Sequence, residues 1–297
     1  MMRTDKEMTS GAVESRDGTI IGYWKTGQGP SVVLLHGSME SARSHMLLAS
    51  ALAGDFTVYL PDRRGRGLSG PHRTDHSVRT EVEDLEAVVT EAGASLAFGV
   101  SAGGAVVLEA ARALPALRKV AVFEPALVMD GAVHRIWLAR FDQEIARGDV
   151  AGAMVTSMFG LQMAPPFLKV MPRRLLTWMT EKMMAKEERQ AGADAITMRK
   201  LAPTIHHEGA LIAELAGTFD NFRDLDVDVL LMGGSKGLSA LKPWRDTLEK
   251  SLPQCRRVEF EGLDHGSSSD PGGVNPSGSA EAVGRVAAEV KAFFKQS

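Results

Sequence analysis

The sequence predicts an α/β fold, a mostly parallel sheet flanked by helices. Short apolar runs that are typical of buried strands alternate with amphipathic segments of helical spacing through the first half of the 297-residue chain. The alternation returns near the end, after a long stretch that has helical spacing only. Because strand–helix alternation needs crossover connections, neighbouring strands are expected to be parallel.

The elements of the first half follow in order. Residues 19–24 and 31–35 are β-rich and are separated by the turn Gly27-Gln28-Gly29-Pro30, so they predict two strands. Further strands are predicted at 56–60, 96–100 and 119–123, and helices at 43–52, 78–92 and 103–114.

Residues 126–222 have helical spacing and no strand pattern. We predict that they form a helical cap, inserted after the sixth strand of the fold, over the carboxyl ends of the strands. Ligands bind at those ends in open α/β sheets. Residues 1–125 and 223–297 then form the core, with later strands at 227–232 and 257–260, helices at 240–251 and 280–294, and a Gly/Ser/Pro-rich loop at 266–279.

Composition argues against several classes of protein. The chain has 34 Lys and Arg residues against 37 Asp and Glu residues. That balance argues against a nucleic-acid binder and gives no attraction to anionic membranes. No apolar run is long enough to span a bilayer, and residues 1–18 lack the apolar region of a signal peptide, so we expect a cytoplasmic protein. Cys255, the one cysteine, excludes an internal disulfide framework. A homo-oligomer stays open.

The strongest chemical signal is Gly99-Val100-Ser101-Ala102-Gly103. A predicted strand precedes it and a predicted helix follows, which is the context of a nucleophile elbow. Ser101 is therefore the candidate nucleophile. The backbone N–H of Ala102, at the start of the helix, and that of Ser38, in the loop after strand 31–35, are the candidate donors of an oxyanion hole. The neighbouring His36 is expected to be structural.

The order of four segments resembles that of the α/β-hydrolase superfamily. These segments are His36-Gly37, Asp62-Arg63-Arg64-Gly65-Arg66-Gly67-Leu68-Ser69, the elbow, and Leu263-Asp264-His265-Gly266. The three arginines could bind phosphate, but a glycine turn held by Asp and Arg hydrogen bonds is favoured. The resemblance covers nearly all of the chain outside the cap. It implies an α/β-hydrolase fold with a cap, a Ser/acid/His triad with His265 as base, and no cofactor.

The acid of that triad departs from the usual family pattern. The turn after strand 227–232, where the family commonly places Asp or Glu, is Gly233-Gly234-Ser235-Lys236-Gly237 and has no carboxylate. We predict Glu124 instead, because it ends the strand 119–123 and neighbouring parallel strands end side by side. Phe123-Glu124-Pro125 also resembles zearalenone-type lactone hydrolases.

Three alternatives to Glu124 stay open. Asp264 adjoins His265, but adjacent residues of an extended chain point to opposite sides. Asp270 lies in the predicted loop and could fold back. The third alternative is that no acid holds the histidine.

The cap is rich in methionine and aromatic residues, which predicts an apolar pocket, since methionine accepts varied apolar ligands. At helical spacing the same residues can also form ordinary core. The candidates for the pocket wall are Met39, Trp137, Met154, Met158, Phe159 and Trp178. No metal site is expected, because His206-His207-Glu208 lacks the i, i+4 histidine spacing of a zinc helix.

Together these features predict a serine hydrolase. It would cleave a carboxylic ester or lactone of an apolar small molecule through a Ser-His-Glu triad and an acyl-enzyme, without a cofactor. Non-hydrolytic chemistry on the same fold, such as lyase, cyclase or acyl-transfer reactions, stays open because one fold hosts many reactions. A non-catalytic ligand receptor is disfavoured by the presence of both Ser101 and His265.

Overall fold

The computed structural model describes residues 8–192, 195–271 and 278–296. Eight strands form one sheet in the order β1-β2-β4-β3-β5-β6-β7-β8. The strands are β1 (Thr9–Glu14), β2 (Ile20–Gly27), β3 (Ser31–Leu35), β4 (Thr57–Pro61), β5 (Leu96–Val100), β6 (Lys119–Phe123), β7 (Asp228–Gly234) and β8 (Cys255–Phe260). Only the pairs β1–β2 and β2–β4 are antiparallel, so the predicted mostly parallel sheet is confirmed.

Helices cover both faces of the sheet, as predicted. The helices are α1 (Met46–Leu52), α2 (Val78–Ala92), α3 (Ser101–Ala113), α4 (Ala132–Ala146), α5 (Val150–Gly160), α6 (Arg173–Gln190), α7 (Met198–Leu201), α8 (Ile205–Glu214), α9 (Lys242–Ser251) and α10 (Ala280–Lys295). Buried side chains of α2, α3 and α9 pack on one face, and those of α1 and α10 pack on the other. The two apolar layers hold the central strands rigid.

Strand β1 was not predicted from the sequence. It lies at the edge of the sheet, and most of its side chains are exposed or half-buried. It therefore lacks the apolar run by which the central strands are detected. Residues 272–277 of the predicted loop 266–279 lie outside the described residues.

Between β6 and β7 the described residues form helices and contain no strand. We call this part, α4 to α8, the helical segment. It is fastened to the core through Glu208 of α8, whose carboxylate accepts hydrogen bonds from Arg63 at 2.9 Å and from Arg66 at 2.7 Å. All three side chains are buried, and Arg63 also binds Glu81 of α2. Within the turn itself, the Asp62 carboxylate accepts a hydrogen bond from the backbone N–H of Leu68, while the ion pairs of the arginines to α2 and α8 were not predicted.

No helix in the described ranges combines the length and apolar character that a membrane span requires.

Candidate active site

Ser101 lies at the junction of β5 and α3. Its φ angle is +53°, a left-handed conformation that is uncommon for a residue with a side chain. Gly103, two residues after Ser101, packs directly against the backbone of His36. A Cβ atom on Gly103 would lie 2.3 Å from the carbonyl oxygen of His36, so only glycine fits there. The turn therefore exposes Ser101 at the carboxyl end of the sheet, as the elbow motif predicts.

The two predicted oxyanion donors lie beside Ser101 in different elements. Ala102 is the second residue of α3, and N–H groups in the first turn of a helix have no partner within the helix. Ser38 follows Gly37, whose missing Cβ would lie only 3.1 Å from the Cβ of Ser101. The loop after β3 consequently packs directly against the serine.

His36 has a structural role, as expected. Its Nδ1 donates to the carbonyl oxygen of Gly37 at 2.9 Å, and its Nε2 accepts from the backbone N–H of Arg63 at 3.0 Å. Burial and the nearby guanidinium groups of Arg66 and Arg63 lower the pKa of His36 to about 3. Both ring nitrogens are used, so His36 holds the loops after β3 and β4 together.

Glu124 meets His265 at the adjacent strand end. Oε2 of Glu124 lies 2.8 Å from Nδ1 of His265. Oε1 accepts from the backbone N–H of Gly234 at 3.1 Å, and Oε2 also accepts from that of Leu238 at 3.3 Å. The Glu124 side chain is 1% exposed and that of His265 is 17% exposed. The contact therefore has the geometry that a buried carboxylate needs to orient an imidazole.

The charge state of Glu124 is set by competing effects. Burial alone would raise its pKa, but the hydrogen bond and charge of His265, the Gly234 N–H and the positive charge of Arg245 together hold the pKa of Glu124 below its ordinary value. The nearest guanidinium nitrogen of Arg245 is 3.6 Å from Oε1. Glu124 is thus an anion at neutral pH, the state that accepts a hydrogen bond from the N–H group at Nδ1 of His265. Its φ angle of +44° adds a second left-handed residue to the site.

The glycine-rich turn after β7 makes room for Glu124. A Cβ atom on Gly237 would lie 1.6 Å from Oε1 of Glu124, an impossible distance. The turn therefore lacks a carboxylate of its own and leaves space for the neighbouring one. Gly237 contributes to the site in a way that sequence analysis missed, although the absence of a carboxylate from this turn was the available signal.

The two rival carboxylates make other contacts. The carboxylate of Asp264 accepts from the backbone N–H of Gly266 at 3.2 Å and from the hydroxyl of Ser267 at 2.9 Å. It thereby caps the short 3-10 helix His265–Ser268. Asp270 accepts from the backbone N–H of Leu47 at 3.0 Å. Both residues fix the histidine loop rather than the histidine ring.

A second buried acid–histidine pair, missed from the sequence, lies beneath the site. Oε2 of Glu40 is 3.2 Å from Nε2 of His45 and accepts from the N–H of Gly37 at 2.7 Å, while Oε1 accepts from the hydroxyl of Ser269 at 2.5 Å. Nδ1 of His45 lies 3.1 Å from the carbonyl oxygen of Ser268. Since both ring nitrogens face acceptors, His45 is a cation here. The pair ties the loop after β3 to the loop that carries His265.

A cavity of about 860 Å³ opens above these residues. Ser38, Ser101 and His265 lie on its wall, and six methionines contribute to the rest: Met39, Met154, Met158, Met163, Met183 and Met198. Three of the predicted wall residues, Met39, Met154 and Met158, lie on this wall. The wall residues include Glu40, Asp130 and Glu208 but, among the residues described, no Lys or Arg.

The three aromatic candidates, Trp137, Phe159 and Trp178, do not lie on the wall of this cavity. Trp137 packs edge-on against Phe141 in a buried cluster behind the wall. Trp178 is 58% exposed on the outside of α6. Phe159 lies off the face of α5 that carries Met154 and Met158. Spacing alone does not tell which face of a helix meets the cavity.

Comparison with known proteins identifies the family of this chain. Residues 32–276 match the sequence profile of the alpha/beta hydrolase family. The chain belongs to this family. Among curated proteins no match to it was found.

Solved structures agree in fold. An alpha/beta hydrolase from Sphaerobacter thermophilus DSM 20745 is 27% identical with a TM-score of 0.74, covering 94% of this chain and 99% of that one. A thermophilic esterase from Thermogutta terrifontis is 16% identical with a TM-score of 0.66, covering 97% and 98%. An esterase from Rhodococcus sp. ECU1013 is 20% identical with a TM-score of 0.63, covering the same shares. At these identities the two esterases support the fold alone.

Proposed function

We propose that this alpha/beta hydrolase is a serine hydrolase that cleaves a neutral, apolar carboxylic ester or lactone through a Ser101-His265-Glu124 triad. The observation that carries the proposal is the 2.8 Å contact between Nδ1 of His265 and Oε2 of Glu124, beside a serine on a strained elbow. A serine hydroxyl is a poor nucleophile without a base, and a base needs an orienting group.

The first half of the reaction forms an acyl-enzyme. Oγ of Ser101 attacks the carbonyl carbon while Nε2 of His265 takes the hydroxyl proton. Glu124 holds the ring in the tautomer with the proton on Nδ1 and stabilises the imidazolium that results. The N–H groups of Ser38 and Ala102 stabilise the negative oxygen of the tetrahedral intermediate. His265 then gives the proton to the leaving alcohol, and the ester bond breaks.

Water completes the reaction by the same route. His265 removes a proton from the water, which attacks the acyl carbon, and returns it to Oγ of Ser101 as the acid leaves. For a lactone, the alcohol and acid belong to one molecule, so the product is a single hydroxy acid.

The charge of the cavity wall supports a neutral substrate. The wall is formed largely by methionine and other apolar side chains, and its ionisable groups other than His265 are the carboxylates of Glu40, Asp130 and Glu208. An anionic substrate would lose its hydration without gaining a cation in return. The helical segment contributes most of the apolar wall, so we propose that residues 126–222 act as the cap over a core of 1–125 and 223–297.

The nucleophile is tested with Ser101→Ala. Removal of a triad serine can lower kcat by about 10⁶-fold, with the residual rate supplied by the oxyanion hole and binding. We expect Ser101→Ala to lose labelling by a fluorophosphonate probe and nearly all turnover of a p-nitrophenyl ester, with an unchanged circular dichroism spectrum. A variant that kept more than about a tenth of wild-type turnover would remove the proposal.

The substrate class is tested with a matched pair of esters. Two p-nitrophenyl esters of equal chain length are compared, one ending in a methyl group and the other in a carboxylate. We expect kcat/KM to favour the neutral ester by about 10-fold or more, because the wall is largely apolar and its carboxylates repel an anion. Preference for the anionic ester would contradict the neutral substrate class while leaving the triad untouched.

A further inference from the structure

Three histidines meet outside the catalytic cavity, where the core touches the helical segment. His72 and His76 lie in the loop before α2, and His207 lies on α8. Each offers one ring nitrogen, and the three nitrogens lie within 4.8 Å of one another. The rings of His72 and His207 are stacked with centroids 3.8 Å apart, and that of His76 stands edge-on to both.

Three of the six ring nitrogens in this cluster are buried without a hydrogen-bond partner among the described residues. These are Nε2 of His72 and both ring nitrogens of His76. The side chain of His76 is only 2% exposed. Oε1 of Glu81 lies 3.1 Å from Nε2 of His76, but out of line for a hydrogen bond. Buried polar atoms without partners are costly, so a ligand that binds them is favoured.

The charges around the cluster permit a cation. Arg63 and Arg66 are close, but Glu81 and Glu208 neutralise them. Uncharged imidazole is the form that binds metal.

We propose that His72, His76 and His207 bind a divalent transition metal, with Zn²⁺ as the best fit. Neutral imidazole is a preferred ligand of zinc, and three histidines are a known ligand set. Tetrahedral Zn–N bonds place nitrogens about 3.3 Å apart. The rings of His72 and His207 are stacked, so one of them must rotate for both nitrogens to point at one ion. The fourth position goes to water or to Oε1 of Glu81.

The metal would fasten the helical segment to the core. Two ligands come from the loop before α2 and the third from α8, next to Glu208, which lies on the cavity wall. The role is structural, because the cluster lies outside the cavity that holds Ser101 and His265. No metal site was expected from the sequence, because His206-His207-Glu208 lacks the spacing of a zinc helix. His207 lies 131 residues beyond His76 in the sequence, so only the fold brings it close to the pair His72 and His76.

The proposal is tested by titrating metal-free enzyme with Zn²⁺ and, separately, with Co²⁺. We expect one tightly bound equivalent, a Tm rise of about 5 °C at a hundredfold excess of free Zn²⁺ over Kd, and the visible absorption of four-coordinate Co²⁺. His207→Gln and His76→Gln should each weaken binding by at least 10-fold. His206→Gln is the matched control, since His206 adjoins His207 but is 47% exposed and bonded to Asp142. It should bind Zn²⁺ like the wild type.

A second measurement needs no variant. Diethyl pyrocarbonate modifies histidine, and mass spectrometry of peptides shows which residues are modified. Zn²⁺ should protect His72, His76 and His207 together and leave His206 unprotected. The proposal is overturned if the wild type binds no Zn²⁺ at about 100 µM of the free ion. It is also overturned if His207→Gln binds Zn²⁺ as tightly as the wild type, or if Zn²⁺ protects His265 from modification instead of the three histidines. Loss of zinc binding would leave Ser101 labelling intact, so this test is independent of the proposed hydrolase function.

Discussion

The ends of β6 and β7 lie side by side, but only the turn after β6 supplies a carboxylate to the candidate site. Phe123, the last residue of β6, pairs with Met232 in the parallel register, and β7 continues to Gly234. The turn after β6 begins with Glu124 in a strained left-handed conformation. Strand β7 ends with Gly233 and Gly234, and the turn that follows holds no carboxylate through Gly237.

The difference shows what the histidine requires. A carboxylate oxygen must lie within hydrogen-bond reach of Nδ1, and the strand that supplies it is secondary. The end of β7 and the turn after it meet the same requirement indirectly. Gly234 and Leu238 donate their N–H groups to the Glu124 carboxylate, and Gly237 leaves space for it. One strand end therefore supplies the carboxylate, and the neighbouring one supplies the hydrogen bonds and the space that hold it.

The largest effect within this comparison is expected from Glu124→Gln. The amide keeps the size of the side chain but removes the negative charge that stabilises the imidazolium and fixes its tautomer. We expect kcat to fall by about 10²–10⁴-fold with the fold intact by circular dichroism. Asp264→Asn is the matched control, because it makes the same change one residue from His265 at a carboxylate that only caps a 3-10 helix. A crippled Asp264→Asn beside a near-normal Glu124→Gln would refute our assignment.

A smaller effect is expected from Gly237→Ala, on the other turn. The new Cβ would lie 1.6 Å from Oε1 of Glu124, so the carboxylate must move away from its hydrogen bonds. Displacement of a positioned group by about 1 Å can cost about 10²-fold in rate, and we expect kcat to fall by that order while KM changes little. Gly284→Ala on α10 serves as the control, since a Cβ there meets open space. Equal activities of the two variants would show that the turn after β7 plays no part.

The smallest effect concerns Glu40, the other buried carboxylate that holds a histidine. Although burial opposes its charge, the charge and hydrogen bond of His45 lower the pKa of Glu40 to about 2, and Glu40 in turn raises the pKa of His45. Because the pKa of Glu40 is lowered, its charge stabilises the fold fully at pH values above 4.5, the ordinary pKa of the group. This stabilisation is lost as the pH falls towards about 2. A raised histidine pKa acts in the opposite sense: its contribution is full below 6.5 and is lost at higher pH.

The pair should therefore stabilise most between pH 4.5 and 6.5. We expect Glu40→Gln to lower the free energy of unfolding by about 1–3 kcal/mol in that window, and by progressively less as pH approaches 2. Urea unfolding of both proteins across pH gives the difference directly. A difference that is constant across this range would mean that Glu40 contributes by packing and not by charge.

Much of the core site could be predicted from the sequence because local pattern and strand order determine it. The elbow around Ser101 is a contiguous motif, and Glu124 follows from parallel strands ending at one edge. The strand β1 could not be predicted, since an exposed edge strand has no apolar signature.

The helical segment was less predictable for a different reason. Met183 and Trp178 lie on one helix, yet the first is on the cavity wall and the second is 58% exposed. Composition gives the apolar character of the segment, but the rotation of each helix depends on packing against its neighbours. The same holds for His72, His76 and His207, which come from two distant parts of the chain.

The central claim, that Glu124 and not another group binds Nδ1 of His265, is most directly tested by proton NMR. A proton shared between histidine Nδ1 and a buried carboxylate gives a far-downfield resonance, which can be assigned to His265 with ¹⁵N-labelled histidine. We expect this resonance in the wild type and in Asp264→Asn, and its loss in Glu124→Gln. The resonance persisting unchanged in Glu124→Gln, or disappearing in Asp264→Asn alone, would contradict the claim.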